Sequence, residues 1–298
     1  LDHTGQFYSF PFATTSESMT GVYRAKVSVG GAKFEKNIKV ETVKPNRLKI
    51  DLNFEENVFS IDEKLNGKLQ LNWLHGAPAR NLRAEVTAKF VKLNTAFKEY
   101  KGYVFKDPTR SFYTEQVQLF DKKVDEKGFS KLNNMLKIGR NAPGMLKINF
   151  LVKAYETGGD FSIDAFSKEY APYSSFVGLQ SPKEDDYGSY PTKTNHQFEI
   201  VTITKDQKPI ARKNVEVKVY KLEWRWWWNS GRDNLSTYNS DSYHRPYKTL
   251  MVDTDANGKA SFKLNIPKND RGRYLIRIVD PVSKHATGRT IYFYDNWW

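Results

Sequence analysis

Alternation with a period of two dominates this sequence and constrains its fold more than any other feature. Leu48, Ile50, Leu52 and Phe54 alternate with polar residues, as do Leu69, Leu71 and Trp73, then Val86, Ala88 and Phe90. The pattern returns at Leu146, Ile148, Phe150 and Val152, at Val215, Val217 and Val219, at Ala260, Phe262 and Leu264, and at Tyr274, Ile276 and Ile278. Successive side chains of a strand point to opposite faces, so each run predicts a strand with one buried face. Turn residues punctuate the runs at Gly30-Gly31, Gly158-Gly159-Asp160, Lys205 to Pro209 and Asp255 to Gly258. No long amphipathic helix competes with them. Many short strands at this spacing predict an all-β chain of tandem fibronectin- or immunoglobulin-like antiparallel β-sandwiches, not a parallel α/β sheet.

A weak internal repeat sets the domain count. Gly21 to Val27, Gly144 to Phe150 and Gly272 to Ile278 share one form, a glycine followed by alternating apolar positions. Each precedes a turn-rich gap and another extended segment: Phe34 to Val43, Phe161 to Tyr170 and Arg289 to Tyr294. This reads as the closing strand pair of a domain, repeated at roughly the length of one β-sandwich. The first copy arrives early. Residues 1–44 are therefore expected to be the C-terminal strands of a truncated domain, residues 45–185 a complete sandwich, and residues 186–298 another with a Trp-rich strand and a long polar loop. Lys44-Pro45 and Ser181-Pro182, with the stretch to Pro191, mark the expected linkers.

Composition narrows the function classes. Of 298 residues, 39% are apolar and 14% aromatic, too much buried-type surface for a disordered chain. With no cysteine there is no disulfide framework, thiolate nucleophile or Cys-ligated zinc. No run approaches the roughly 20 apolar residues of a membrane-spanning helix, and the opening residues carry no signal-peptide pattern, so a fragment or mature form is expected. The 47 basic residues exceed the 34 acidic ones, a net charge of +13, but stretches such as Lys122 to Lys127 mix both signs. Dispersed charge without a recognition helix or phosphate-cradling loop argues against a nucleic-acid partner.

The search for catalytic chemistry is mostly negative. No zinc-protease, nucleophile-elbow or P-loop pattern is present, and His3, His75, His196, His244 and His285 are widely separated. No enzyme, cofactor or metal site is expected. Asp253-Thr254-Asp255-Ala256-Asn257-Gly258 imitates the start of a calcium-binding loop, but position twelve is Leu264 and the flanks alternate as strands. A hairpin turn ahead of the strand Lys259 to Asn265 accounts for it better. Tryptophan is the anomaly: Trp224, Trp226, Trp227 and Trp228 share one strand-like run, and Trp297 and Trp298 close the sequence. On a strand these indoles fall on both faces, so some need cover from outside the core. Core plus interdomain contact is the favoured use, ahead of a sugar-stacking platform and base stacking. The polar segment Asn229 to Tyr247 that follows reads as a long exposed loop.

These residues resemble those of a known family. Leu71-Asn72-Trp73-Leu74-His75-Gly76-Ala77-Pro78-Ala79 is similar to the aromatic-x-x-Gly-x-Pro-Ala segment that starts a macroglobulin-like domain in bacterial alpha-2-macroglobulins. Gly21 to Glu41 and Pro45 to Leu48 look like the end of one such domain and the start of the next. The Trp-rich strand, Thr254 to Phe262 and the aromatic ending Tyr292 to Trp298 resemble a later one. The resemblance implies macroglobulin-like sandwiches from a large protease trap, in which bait cleavage triggers collapse and a Cys-containing thioester captures the attacker in many members. With no cysteine here, a thioester would lie elsewhere in the parent, and no segment is an obvious bait region. The chain would be a non-catalytic scaffold, an endopeptidase-inhibitor segment that works in envelope defence. Its partners would be neighbouring macroglobulin-like domains and, through the parent, target proteases. Its location would be the bacterial cell envelope, periplasmic, with a lipid-anchored parent. A carbohydrate-binding or adhesive cell-surface array using exposed tryptophans is the alternative.

Overall fold

Each alternating run becomes a strand, because only an extended backbone sends every second side chain into one shared core. The structure, a computed structural model, describes residues 2–4, 7–9, 11–15, 18–19, 21–40, 45–61, 63–185, 187–222 and 247–295. They divide into two units, Leu1–Arg47 and Leu48–Trp298. In the first unit, β1 (Asp2–Thr4) pairs antiparallel with β2 (Phe7–Ser9), and β3 (Gly21–Val29) with β4 (Ala32–Val40). Gly30 and Gly31 turn the second hairpin with φ of +55° and +85°, values open to glycine at little steric cost. Tyr23 lies opposite Ile38 and Val27 opposite Phe34, so one hairpin face is apolar. Val22, Tyr23, Val29 and Phe34 are exposed.

Among the described residues the second unit holds two sandwiches of eight strands each. The first contains β5 (Leu48–Phe54), β6 (Val58–Ser60), β7 (Lys64–Trp73), β8 (Arg83–Lys92), β9 (Glu115–Lys123), β10 (Phe129–Met135), β11 (Leu146–Tyr155) and β12 (Phe161–Ala171). The second contains β13 (Ser175–Gln180), β14 (Tyr190–Pro191), β15 (His196–Thr204), β16 (Val215–Leu222), β17 (Lys248–Val252), β18 (Lys259–Leu264), β19 (Gly272–Val279) and β20 (Ala286–Tyr294). Sheet order in the first is β10-β7-β5 facing β6-β12-β11-β8-β9; in the second it is β18-β15-β13 facing β14-β20-β19-β16-β17. Strand for strand the topology is duplicated. In both, among the described residues, only the short second strand pairs in parallel, β6 with β12 and β14 with β20. The Gly-led segments of the sequence are β3, β11 and β19, each antiparallel to the next strand.

Inward-facing residues of both sheets fill each core. Leu52, Leu69, Val86, Phe90, Ile148 and Phe150 are buried in the first sandwich, and Phe198, Val217, Ile276 and Phe293 in the second. Burying each such side chain contributes about 1.5–3 kcal/mol. The strand β13 corrects the expected linker position. It pairs with β15 from Ser175↔Thr204 to Gln180↔Glu199, so the Ser181 to Pro191 stretch lies inside the second sandwich and not ahead of it.

A corner motif recurs in both sandwiches. Asp125 accepts the Lys127 and Phe129 amides on Oδ1 at 2.8 Å, and Asp255 accepts those of Asn257 and Lys259 at 2.8 Å. Gly128 and Gly258 follow with φ of +71° and +68°, and a Cβ on either would sit 2.3 Å from a carbonyl oxygen, of Leu71 or Thr202. The Asp255 turn is therefore a turn as expected, but it is not a hairpin. β17 and β18 belong to opposite sheets, so the turn carries the chain across the sandwich.

Candidate functional site

The tryptophans singled out by sequence, Trp224, Trp226, Trp227, Trp228, Trp297 and Trp298, lie outside the described residues. The most built-up polar site among the described residues is instead the joint between the two sandwiches. It is made by the connection from β8 to β9. Thr95 anchors that connection by accepting the Met145 amide at 2.8 Å, and a 3-10 turn at Lys98–Tyr100 reverses it. Val104 then adds to the edge of β13, its N–H donating to Leu179 O at 2.8 Å and its carbonyl accepting the Leu179 N–H at 3.0 Å. Two residues on, Lys106 O accepts the Gly288 N–H at 3.1 Å, and the Thr287 hydroxyl donates to Val104 O at 2.6 Å.

Small residues permit this close approach. A Cβ on Gly178 would lie 2.6 Å from Phe105 Cε1, and one on Gly288 3.2 Å from Pro108 Cδ. Phe105 is wholly buried there, 4.7 Å between ring centroids from Phe97. Phe97 in turn meets Phe176 of β13 at 5.4 Å. Phe176, Val201 and Ile203 of the second sandwich belong to the same buried cluster as the core of the first. The core is continuous across the joint.

Two fully buried carboxylates order the polar part. Asp107 receives Arg277 of β19, from Nε at 3.2 Å and Nη2 at 2.7 Å, and its own neighbour Arg110 at 3.2 Å. The Thr109 amide and hydroxyl donate to Oδ1 at 3.0 and 2.8 Å. Burial by itself pushes the Asp107 carboxyl up; Arg277, joined by Thr109, outweighs it and holds the group below its ordinary value. Arg110 also donates to Tyr173 OH at 2.8 Å and to Lys284 O at 2.9 Å, which ties it to the turn between β19 and β20. Asp280, at the end of β19, accepts Ser175 Oγ at 2.5 Å, the Val282 amide at 2.9 Å and Arg212 Nε at 3.3 Å. Burial raises it as well, and Ser175, Val282, Arg212 and Ser283 together hold it low.

His285 sits between them, with none of its surface exposed. Its Nδ1 accepts the Val177 N–H at 3.0 Å, so Nε2 carries the proton and donates to Phe105 O at 3.1 Å. One neutral ring thus links β13 to the incoming connection. Burial, then the Arg110 charge, push it down to about 3. At the rim Tyr103 OH donates to Glu199 at 3.0 Å, and Lys205 pairs with Glu63 at 2.5 Å.

This arrangement joins the two sandwiches. Asp107 and Asp280 accept several donors each, and both ring nitrogens of His285 are engaged with backbone. Sequence reading missed all of these residues. A signal was present: Asp107-Pro108-Thr109 and Asp280-Pro281-Val282 are both Asp-Pro turns, in which the aspartate accepts the amide two residues on, at 3.0 and 2.9 Å. Among the described residues no cluster of His and acidic side chains has metal-site geometry.

Residues 46–163 match the family model of the bacterial alpha-2-macroglobulin MG5 domain, and residues 178–297 that of bacterial macroglobulin domain 6. The chain belongs to the bacterial alpha-2-macroglobulin family. Its two sandwiches are consecutive macroglobulin domains of that family, and the joint lies between them. Among solved structures, the chain is similar to native E. coli alpha-2-macroglobulin, with 16% identity, a TM-score of 0.57, and coverage of 95% of this chain and 18% of that one. Trypsin-activated alpha-2-macroglobulin from E. coli gives 16% identity, a TM-score of 0.57, and coverage of 95% and 19%. Salmonella alpha-2-macroglobulin reacted with methylamine gives 14%, 0.53, and coverage of 94% and 19%. The chain thus spans less than a fifth of the length of each of these three macroglobulins. No curated protein matches it by sequence.

Proposed function

We propose that this chain is a non-catalytic scaffold segment of a bacterial alpha-2-macroglobulin-like protease trap, working as part of an endopeptidase inhibitor in the cell envelope. The observation that carries the reading is the consecutive match to macroglobulin domains 5 and 6. The joint supports it, because its buried side chains are spent on holding two domains together. The chain fits the native and the trypsin-activated E. coli protein with the same TM-score of 0.57. A segment that keeps its internal arrangement while its parent changes state would behave so. In this reading residues 1–44 close a preceding macroglobulin-like domain, and the uncovered apolar face of the β3–β4 hairpin is the face that domain would bury. The parent is periplasmic and lipid-anchored.

The tryptophans take a place in this reading through the duplicated topology. In the sequence, Trp224 to Trp228 come after β16 and before β17, the same place in strand order that the β8–β9 connection holds in the first sandwich. We assign them, with Trp297 and Trp298, to contact with a neighbouring domain. The test uses the parent protein, mixed with a broad-specificity endoprotease and followed by native gel and by residual activity on large and small substrates. Compaction with selective loss of large-substrate cleavage is expected. Cleavage without any change in size or selectivity overturns the trap reading.

A further inference from the structure

We infer that the two sandwiches of residues 48–295 move as one rigid body, locked by the Val104–Arg110 strap, so that rearrangement of the parent takes place at other junctions. The mechanical meaning rests on the trap reading; the rigidity itself rests on this chain alone. Four observations lead to it. The strap is fastened by backbone at both ends of its path, on Leu179 at the edge of β13 and on Gly288 at the edge of β20 in the opposite sheet. A strap held on both sheets of the acceptor sandwich cannot rotate about one contact. Its one aromatic ring, Phe105, is inserted over Gly178 and shares a buried cluster with residues of both sandwiches. Sliding would open a cavity or drive the ring into backbone.

The charges lock the same position. Asp107 has no exposed surface, and its partners come from both sides, Arg110 from the strap and Arg277 from β19. Domains that hinge keep an interface that is polar, wet and readily exchanged. Here, opening would strand a buried carboxylate from Arg277, and His285 would lose its acceptor at Phe105 O. No intermediate arrangement satisfies these groups, so closed and separated are the only two states the joint offers.

The absence of native cysteine makes the test direct. Spin labels are placed on the exposed pair Lys131→Cys and Lys263→Cys, one in each sandwich, and on Lys131→Cys with Lys89→Cys, both in the first. Distance distributions are measured by pulsed electron–electron resonance on the 298-residue chain. The inter-sandwich distribution is expected to be as narrow as the control within one sandwich. In the Asp107→Ala background it is expected to broaden about twofold while the control stays narrow; Asp107→Leu with Arg277→Met is expected to narrow it again. A broad or two-peaked distribution in the unsubstituted joint overturns the proposal. So does an Asp107→Ala chain that remains folded with an unchanged inter-sandwich distribution, because the strap's charge pair would then lock nothing. The same labels in the parent, before and after endoprotease, are expected to give one unchanged distance. A shifted distance overturns rigidity even if the parent compacts. A parent that never compacts overturns the trap reading and leaves the rigid pair standing.

Discussion

The first strand of each sandwich occupies the same place in the same topology, yet the outer positions of one are buried and those of the other are exposed. β5 and β13 both pair with the third strand of their sandwich, Leu48 with Trp73 and Ser175 with Thr204. Those registers set Lys49 against Phe176 and Asp51 against Gly178. On β5 the outer positions Lys49, Asp51 and Asn53 are exposed. On β13 the outer positions Phe176 and Gly178 lie under the strap, and the strand is buried along almost its whole length. Duplicated topology therefore fixes where a neighbour could attach, and two or three outward side chains decide whether it does. An aromatic ring and a missing Cβ make β13 an acceptor; a lysine and an aspartate keep β5 in water.

The largest expected effect breaks this contrast from the strap side. Asp107→Ala leaves Arg277 and Arg110 largely buried without their counter-charge, and breaking one partner of a buried pair costs about 3–5 kcal/mol. Urea unfolding followed by intrinsic fluorescence should lose that amount and split into two transitions as the sandwiches uncouple. The double substitution Asp107→Leu with Arg277→Met removes both charges and should recover most of the loss. A single transition at unchanged midpoint for Asp107→Ala would show that the joint contributes little to stability.

The next effect tests the likeness of the sandwiches. Gly128→Ala and Gly258→Ala each place a Cβ at positive φ and against a carbonyl oxygen. The left-handed conformation alone costs about 1–2 kcal/mol for a residue with a side chain. The two substitutions should destabilise to a similar extent by thermal unfolding, since the corners repeat. Unequal losses would mean that the second corner has acquired a different role.

Much of this was legible in the residues. Alternation marked most strands of both cores, because a strand with one wet face must write that face into the sequence. The same rule hid β13. Ser175-Phe176-Val177-Gly178-Leu179 is covered on both faces and so does not alternate, which leaves the Ser181-Pro182 stretch after it to read as a linker. Alternation also says nothing about which sheet a strand joins, so the Asp255 turn read as a hairpin when it crosses between sheets. The joint was harder still. Asp107 and Arg277 are 170 positions apart, and no spacing rule connects them; only the two Asp-Pro turns gave local notice. The tryptophans drew attention by composition, which marks unusual residues and not assembled sites.

A smaller effect follows from His285. Its folded value of about 3 lies below the ordinary 6.5. The unfolded chain therefore binds a proton that the folded chain refuses, and stability is full above about 6.5 and declines as pH falls toward 3. Between pH 6.5 and 5 the loss should reach about 2 kcal/mol. Below pH 4 Asp107 and Asp280, both held low, add to it as they protonate. The counterpart turn between β11 and β12 is closed by the backbone carbonyl of the exposed Asp160, which accepts the Glu156 amide at 2.8 Å, as the His285 carbonyl accepts the Asp280 amide at 2.9 Å. Thermal unfolding at pH 7 and pH 5 should show the decline in the intact chain and a flatter profile in His285→Gln. A parallel decline in both would move the acid sensitivity away from the joint.

The smallest effect is the sharpest test of the contrast between β5 and β13. Asp51 meets Asn53 through a 2.6 Å hydrogen bond on an exposed face, and exposed pairs of this kind contribute little. Asp51→Ala should change stability by less than about 0.5 kcal/mol, with the urea slope unaltered. Gly178→Asp places the same side chain at the matching position of β13, where a Cβ already meets Phe105. It should cost several times more, because it buries a charge and evicts a ring at once. The ratio of the two changes measures how far two strands in the same place of the topology differ in what covers them. If Asp51→Ala were as costly as Gly178→Asp, the outer face of β5 would carry a contact of its own. The first sandwich would then be an acceptor like the second, and outward side chains would not be what sets the two edges apart.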